Sequence, residues 1–231
     1  MRGRLFLVPI TLGSEKFSEV IPLGVLDKIR DLRFFIVEEI RTARRFLRLI
    51  DKTFPIDETT FFVLNEHTPL NDIESYLIPA MSGNDIGVMS EAGLPCIADP
   101  GATIVKLAHI KGIEVRPLTG PSSIIMALMA SGLNGQNFTF NGYLPKEKTG
   151  RAKKIIELEK LSGKGVSQIF IETPYRNQQL LETLLETCHK ETYLCIAVDI
   201  TLDSENIATK KISEWKNNVP NIKDRYAVFV L

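Results

Sequence analysis

The stretch Asp85-Ile86-Gly87-Val88-Met89-Ser90-Glu91-Ala92-Gly93-Leu94-Pro95-Cys96-Ile97-Ala98-Asp99-Pro100-Gly101 begins as a short apolar run and continues as a long loop. The helical pattern of Ala102–Lys111 follows it. A run of this kind reads as a buried strand, Asp85–Met89, whose C-terminal end is where open α/β sheets place ligands. Gly93 permits close backbone approach, Pro95 stiffens the loop, and Asp99-Pro100-Gly101 opens the next helix with Asp99 as its cap. The plainer alternative for the same residues is an ordinary strand–turn–helix connection.

Outward from this stretch the alternation repeats. Leu5–Val8, Phe34–Val37, Phe61–Leu64 and Glu114–Pro117 carry the strand signal, and Ile21–Ile29, Thr42–Ile50 and Asn71–Ala80 the helical one. Such alternation predicts βαβ units around a mostly parallel sheet. Leu118-Thr119-Gly120-Pro121-Ser122-Ser123 is a second loop at a strand end, and it runs into the apolar helix Ser122–Ser131. Its free backbone N–H groups and two hydroxyls at a helix N-terminus suit an anionic or polar ligand edge, or simply cap a helix at a domain junction.

Beyond Gly132–Gly135 the pattern changes. Strands are expected at Phe138–Phe140, Ser167–Ile171, Leu194–Val198 and Tyr226–Val230, and a helix at Gln178–Thr187. The charged segment Lys146–Lys154 leads into a further helix through Leu158. Asn206–Ile212 and Arg225–Leu231 read as two strands that pair antiparallel, giving a mixed sheet. Two α/β domains are expected, residues 1–119 and 120–231, each a sheet with flanking helices.

At 231 residues with 44% hydrophobic and 24% charged content, the chain has the ordinary globular mix and enough length for a substantial core. Lys plus Arg and Asp plus Glu number 28 each, so any nucleic-acid contact needs a local basic patch. Cys96, Cys188 and Cys195 form no C-x-x-C and have no histidine at zinc spacing, so they read as reduced, packed thiols and no metal is expected. Pro9 and Gly13 interrupt the apolar N-terminus, and no run approaches a membrane span; a cytoplasmic protein is expected. No P-loop, G-x-G-x-x-G, H-E-x-x-H or G-x-S-x-G is present, which leaves hydrolase and metalloenzyme chemistry without support.

The two loops carry a resemblance. Ser90–Pro95 with Ala98–Gly101 is similar to a Ser-Asp-Ala-Gly-Thr-Pro…Ser-Asp-Pro-Gly stretch, and Thr119–Ser123 to a Pro-Gly-Pro-Ser-Ala turn. Ala127–Leu133, Gly142-Tyr143-Leu144-Pro145 and Ile171-Glu172-Thr173-Pro174-Tyr175-Arg176 follow in the same order. In all of these the chain resembles the tetrapyrrole methylase superfamily of S-adenosylmethionine-dependent methyltransferases, and within it the branch that methylates a cytidine 2′-oxygen of 16S rRNA. The resemblance implies a two-domain, usually dimeric α/β fold with S-adenosylmethionine in the cleft between domains. It assigns cofactor contact to Pro9, Ser90, Glu91, Ala92, Gly93, Gly120, Pro121, Ser122, Ser123, Pro174 and Ala197. The chain differs from the pattern at Thr11-Leu12-Gly13, at Glu39-Ile40 and at Val198-Asp199. Those differences keep open a tetrapyrrole or other small-molecule substrate, and a cofactor-binding dimeric module that has lost catalysis.

A ribose hydroxyl attacking a methyl group gains from a carboxylate that accepts its proton. Glu38, Glu39 and Glu66, each near an expected strand end, are the candidates; solvated loop or helix-start carboxylates are the alternative. Phosphates of rRNA, or of a small ribosomal subunit, would meet Arg41, Arg44, Arg45 and Arg48, whose spacing of three and four shares a helix face. Lys146, Lys148, Arg151, Lys153 and Lys154 form a second basic cluster. Charged solvated helix faces would present the same pattern.

Overall fold

The computed structural model describes residues 2–65 and 67–231. The chain forms two compact units, Met1–Ser122 and Ser123–Leu231.

In the first unit β1 (Leu5–Leu7), α1 (Leu23–Asp31), β2 (Phe34–Val37), α2 (Ile40–Ile50), β3 (Thr60–Val63), α3 (Leu70–Ser75), α4 (Ile78–Met81), β4 (Ile86–Met89), α5 (Ala102–Ile110) and β5 (Val115–Pro117) follow in order. The five strands form one sheet in the order β3-β2-β4-β1-β5, every pair parallel. Because side chains alternate across a strand, its apolar runs supply two cores. Phe6, Phe35 and Met89 pack with Leu26 and Ile29 of α1 and with Phe46 and Leu47 of α2. Leu5, Ile36 and Val88 face the other way, onto Ile73, Leu77, Ile104 and Ala108. Each fully buried Leu, Ile or Phe contributes about 1.5–3 kcal/mol. The helix expected at Asn71–Ala80 is two, α3 and α4, with Pro79 in the first turn of the second. A proline there fits the start of a helix and not its interior.

The second unit runs α6 (Ser123–Ser131), β6 (Phe138–Tyr143), α7 (Lys148–Ser162), β7 (Ser167–Ile171), α8 (Asn177–Thr187), β8 (Tyr193–Val198), β9 (Asn206–Lys211), α9 (Ile212–Asn217) and β10 (Ala227–Val230). Its sheet has the order β6-β7-β10-β8-β9, and only β6 and β7 are parallel. The fold is therefore the expected one, a parallel first sheet and a mixed second sheet. One expected pairing is corrected. The last two strands do not pair with each other: β9 lies on β8, and β10 inserts between β7 and β8. A strand that is apolar on both faces belongs in mid-sheet, and all four β10 residues are buried. Ile155, Leu158, Leu180, Leu184, Phe170, Phe229 and Trp215 form the core of this unit. The indole N–H of Trp215 donates to the Leu194 carbonyl at 2.9 Å.

Candidate functional site

Three loops meet at the C-terminal ends of β1, β4 and β5, which are adjacent in the first sheet. The backbone joins them. Val8 N–H donates to Val88 O at 2.8 Å, Ile10 N–H to Gly93 O at 2.9 Å, and Leu118 N–H to Leu7 O at 3.0 Å. Pro9, Gly93 and Pro121 are buried in this packing, whereas Glu91 and Ala92 are exposed. Gly93 has φ +68, and a Cβ there would stand 3.1 Å from Leu12 Cδ2 and 3.3 Å from the Pro121 carbonyl. At Gly120 a Cβ would come within 2.1 Å of Pro9 Cβ. Both glycines are thus required for the loops to approach so closely. Ser90 turns its hydroxyl back onto the Ala92 carbonyl at 3.1 Å.

Glu38, at the end of β2, lines a small recess with Met89, Ser90, Asp99 and Gly101. Its carboxylate has no hydrogen-bond partner among the described residues. Partial burial, then the charges of Glu91 and Asp99, push its pKa up. Burial likewise raises Asp99, against the opposing pull of backbone N–H groups at Gly101, Cys96 and Ile97. The Cys96 thiol is pushed up to about 12 by burial and by Asp99, so it stays protonated and unreactive. Cys188 and Cys195, also free, are buried in the second unit.

The other candidate carboxylates separate from this group. Glu39 is exposed and caps α2, accepting the Arg41 N–H at 2.9 Å. Glu66 lies outside the described residues. Asp99 is not the helix cap that the sequence suggests. Gly101 occupies the cap position, and Asp99 accepts instead from Cys96 N–H at 2.8 Å and Gly101 N–H at 2.7 Å. An Asp-Pro-Gly ahead of a helix serves either arrangement, so residue order alone does not separate them.

Arg41, Arg44, Arg45 and Arg48 are all exposed on α2, directly after Glu38, while Ala43, Phe46, Leu47 and Ile50 face the core. Arg44 stands 3.9 Å from exposed Asp57, and Arg48 donates to the Lys52 carbonyl. The side chains of Arg41 and Arg45 have no partner among the described residues. The second basic cluster is corrected at one position. Arg151 is only 4% exposed, because it shares the inward stripe of α7 with Ile155 and Leu158 at spacings of four and three. Its Nε and Nη2 donate to Thr183 Oγ1 at 3.1 and 3.0 Å, and Nη1 donates to the Lys146 carbonyl at 3.0 Å. Lys148 is paired with Glu186 at 2.8 Å, and Lys146 is exposed.

Ser122 and Ser123 are half-buried where the first unit ends and α6 begins. In the second unit Pro174 opens a single turn after β7, and its carbonyl accepts from Asp224 N–H at 3.1 Å. Ala197 lies within β8, buried between Ile207 and Val228. Two features there have no counterpart among the sequence candidates. Buried Glu172 and half-buried Arg176 pair at 2.5 Å across a four-residue spacing. Asp199 takes Ser204 Oγ and Arg225 Nε, each at 2.8 Å, on one carboxylate oxygen.

A larger cavity, about 630 Å³, opens at the opposite end of the first sheet, where β1, β2, β4 and β5 begin. Its cations are already engaged: Arg4 and Lys28 bind Asp85 at 3.1 and 2.9 Å, and Arg33 binds the Arg30 and Leu32 carbonyls. Size alone therefore does not make it the site. Among the described residues there is no group of three His, Cys, Asp or Glu that could hold a metal, and no helix long and apolar enough to cross a membrane.

Comparison with known proteins bears on the same residues. Residues 5–216 match the family of Tetrapyrrole (Corrin/Porphyrin) Methylases. Ribosomal RNA small subunit methyltransferase I of Vibrio cholerae is 31% identical over 91% of this chain and 69% of its own length. The protein of the same name from Haemophilus influenzae is 32% identical over 96% and 75%. Among solved structures, the methyltransferase CobJ superposes with TM-score 0.65 at 16% identity, covering 99% of this chain and 93% of its own. Uroporphyrin-III-C-methyltransferase from Thermus thermophilus gives 0.58 at 17%, over 100% and 92%. At those identities the likeness establishes the fold. With a match running from β1 into α9, and relatives above 30% identity along most of its length, the chain belongs to the tetrapyrrole (corrin/porphyrin) methylase family and is a methyltransferase.

Proposed function

We propose that this protein methylates small-subunit ribosomal RNA, at the ribose 2′-oxygen of a cytidine in 16S rRNA, with S-adenosylmethionine as the methyl donor. The observation that carries the donor site is the junction of the loops after β1, β4 and β5. There Gly120 leaves no room for a side chain, Gly93 holds a left-handed backbone in close packing, and Ser90–Ala92 present polar backbone beside a buried floor. Pro9, Ser90, Glu91, Ala92, Gly93, Gly120, Pro121 and Ser122 would hold the donor from the first unit. Ser123, Pro174 and Ala197 of the second unit enter through the family resemblance, as do a homodimer and a cytoplasmic location. The relatives named for ribosomal RNA support the choice of substrate.

When bound, S-adenosylmethionine supplies an electrophilic methyl group on a positively charged sulfur, which leaves as neutral S-adenosylhomocysteine. The chain's own contribution is placement and proton transfer. Glu38 accepts the proton of the attacking 2′-hydroxyl as the new C–O bond forms. A raised pKa makes its carboxylate a stronger base than an ordinary glutamate. Holding hydroxyl and methyl in line can supply roughly 7–11 kcal/mol of barrier reduction. Arg41 and Arg45 hold flanking phosphates, which positions the RNA without reading its sequence.

The test is calorimetric titration with S-adenosylhomocysteine, followed by methyl transfer to purified small ribosomal subunits by the wild type and by Glu38→Gln. Saturable binding, with transfer that falls about 10²–10⁴-fold in Glu38→Gln while binding is kept, supports the assignment. A product formed only on an acidic tetrapyrrole moves the substrate elsewhere in the family. Donor binding without any product leaves a module that has lost catalysis.

A further inference from the structure

The loop that follows β4 contains three residues in left-handed backbone conformation: Gly93 at φ +68, Cys96 at +70 and Ala98 at +63. Glycine adopts that region freely, but cysteine and alanine do so at a cost and only where their surroundings dictate it. One carboxylate does the dictating. Asp99 Oδ2 accepts the Cys96 N–H at 2.8 Å, and Oδ1 accepts the Gly101 N–H at 2.7 Å. The loop is wrapped closely enough that a Cβ on Gly101 would lie 2.8 Å from Asp99 Oδ1 and 2.9 Å from Cys96 Sγ. The same segment is joined to the loop after β1 through Gly93, whose carbonyl accepts from Ile10.

Asp99 also lines the recess beside Glu38. Among the described residues the charged groups that act on Glu38 are Glu91 and Asp99, both from this loop. β2 contributes Val37, β4 Val88 and Met89, and the residue after β3 is Leu64, none of which carries a charge, and neighbouring Glu39 is turned onto the Arg41 amide.

We infer that Asp99 is a positioning residue for methyl transfer: it closes the Cys96–Gly101 turn onto one carboxylate and sets a negative charge beside Glu38. The inference rests on the methyltransferase reading above and adds a residue to it. Asp99 touches neither methyl donor nor RNA in this role. It acts through the loop backbone, which shapes the donor site, and through the field at Glu38, which keeps the base strong.

The test uses the full chain as Asp99→Asn and Asp99→Ala, with three readouts. Hydrogen exchange of the 93–101 segment without ligand reports loop closure; exchange is expected to be faster in both variants than in the wild type. Titration with S-adenosylhomocysteine reports the donor site. Asp99→Ala is expected to bind at least roughly tenfold more weakly, the scale of one charge-assisted hydrogen bond, and Asp99→Asn is expected to fall between. The acid limb of the single-turnover rate reports the charge. In Asp99→Asn, which keeps one acceptor oxygen if Asp99→Ala fails to fold, that limb is expected to move to lower pH. Variants that bind S-adenosylhomocysteine like the wild type overturn the inference. So does weakened binding with an unmoved acid limb, because a merely structural brace would give that result. A wild-type protein that binds no S-adenosylhomocysteine overturns the methyltransferase reading itself, a failure distinct from either.

Discussion

Gly120→Ala tests the loop junction with a single methyl group. Its Cβ would sit 2.1 Å from Pro9 Cβ and 2.6 Å from Pro9 Cγ. Carbon atoms in contact rest at about 3.5–4.0 Å, so roughly 1.5 Å of overlap has to be relieved by movement of one loop. Pro9 cannot yield easily. It is buried, and its neighbours Val8 and Ile10 are hydrogen-bonded to Val88 and Gly93. The cost therefore falls in the overpacking range, about 1–3 kcal/mol. At about 4 °C per kcal/mol for a unit of this size, the expected fall in Tm is roughly 4–12 °C. Urea and thermal unfolding read the loss, and S-adenosylhomocysteine titration reads its effect on the donor site. The geometry makes a finer demand. Pro9→Ala keeps the Cβ that makes the closest contact, whereas Pro9→Gly removes it. In double-mutant cycles Pro9→Gly should recover most of the Gly120→Ala loss and Pro9→Ala little of it. Gly120→Ala within about 0.5 kcal/mol of wild type, the scatter of an innocuous substitution, would refute the reasoning; so would equal relief from both proline variants.

Two further predictions concern charge. Arg45→Gln should weaken binding to small-subunit RNA and reduce the slope of log affinity against log salt by roughly 0.7–0.9, with an unchanged melting temperature. Arg151→Met should do the reverse, lowering stability by about 1–3 kcal/mol through its three lost hydrogen bonds and leaving the salt slope alone. The second prediction sets two carboxylates against each other in pH-dependent unfolding. Burial pulls the Asp85 pKa up, but Lys28 and Arg4 outweigh it and hold the group below its usual range. Its stabilising contribution is thus present above the unfolded pKa of ~3.9 and lost as pH falls through the folded value. Asp85→Asn should be less stable than wild type at pH 7 and equal to it in strong acid. Glu38 is raised, so its ionisation costs stability as pH rises through the folded value. Glu38→Gln should be more stable than wild type at neutral pH, with the gain vanishing in acid.

Most of the fold was legible because its strands are short apolar runs separated by long amphipathic stretches. Ile86–Met89 and Ala227–Val230 are buried along their whole length, and period and length suffice to identify such strands. Partner choice is not a property of one strand. The two C-terminal strands looked like an antiparallel pair, and only the burial of both faces of β10 sends it to mid-sheet. Arg151 failed for a related reason. Among Lys146, Lys148, Lys153 and Lys154 it reads as one more surface cation, yet its register with Ile155 and Leu158 was already written in the spacing. Asp99 could not have been separated from a cap, since the difference lies in which amides its two oxygens reach.

The placement of charge around α2 bears on what kind of substrate fits. Glu38, Glu91 and Asp99 crowd the ends of β2 and β4, and their mutual repulsion helps hold Glu38 up. Three residues beyond Glu38 the exposed arginines begin, and from Arg41 to Arg48 they run about 10 Å along the helix. A phosphate brought to the carboxylates would be repelled, while one brought to Arg41 or Arg45 would find an exposed cation with no partner among the described residues. The group that can enter beside Glu38 is therefore uncharged and carries a proton to give up, and the anionic part of the same molecule must lie outward along α2. A nucleotide meets both conditions with its ribose hydroxyl inward and its phosphates outward. A macrocycle rimmed with carboxylates meets the second only by keeping its acidic edge away from the reacting position. Between the substrates open to this family, the pairing of a crowded acidic end with a row of exposed arginines, two of them without a partner among the described residues, favours RNA.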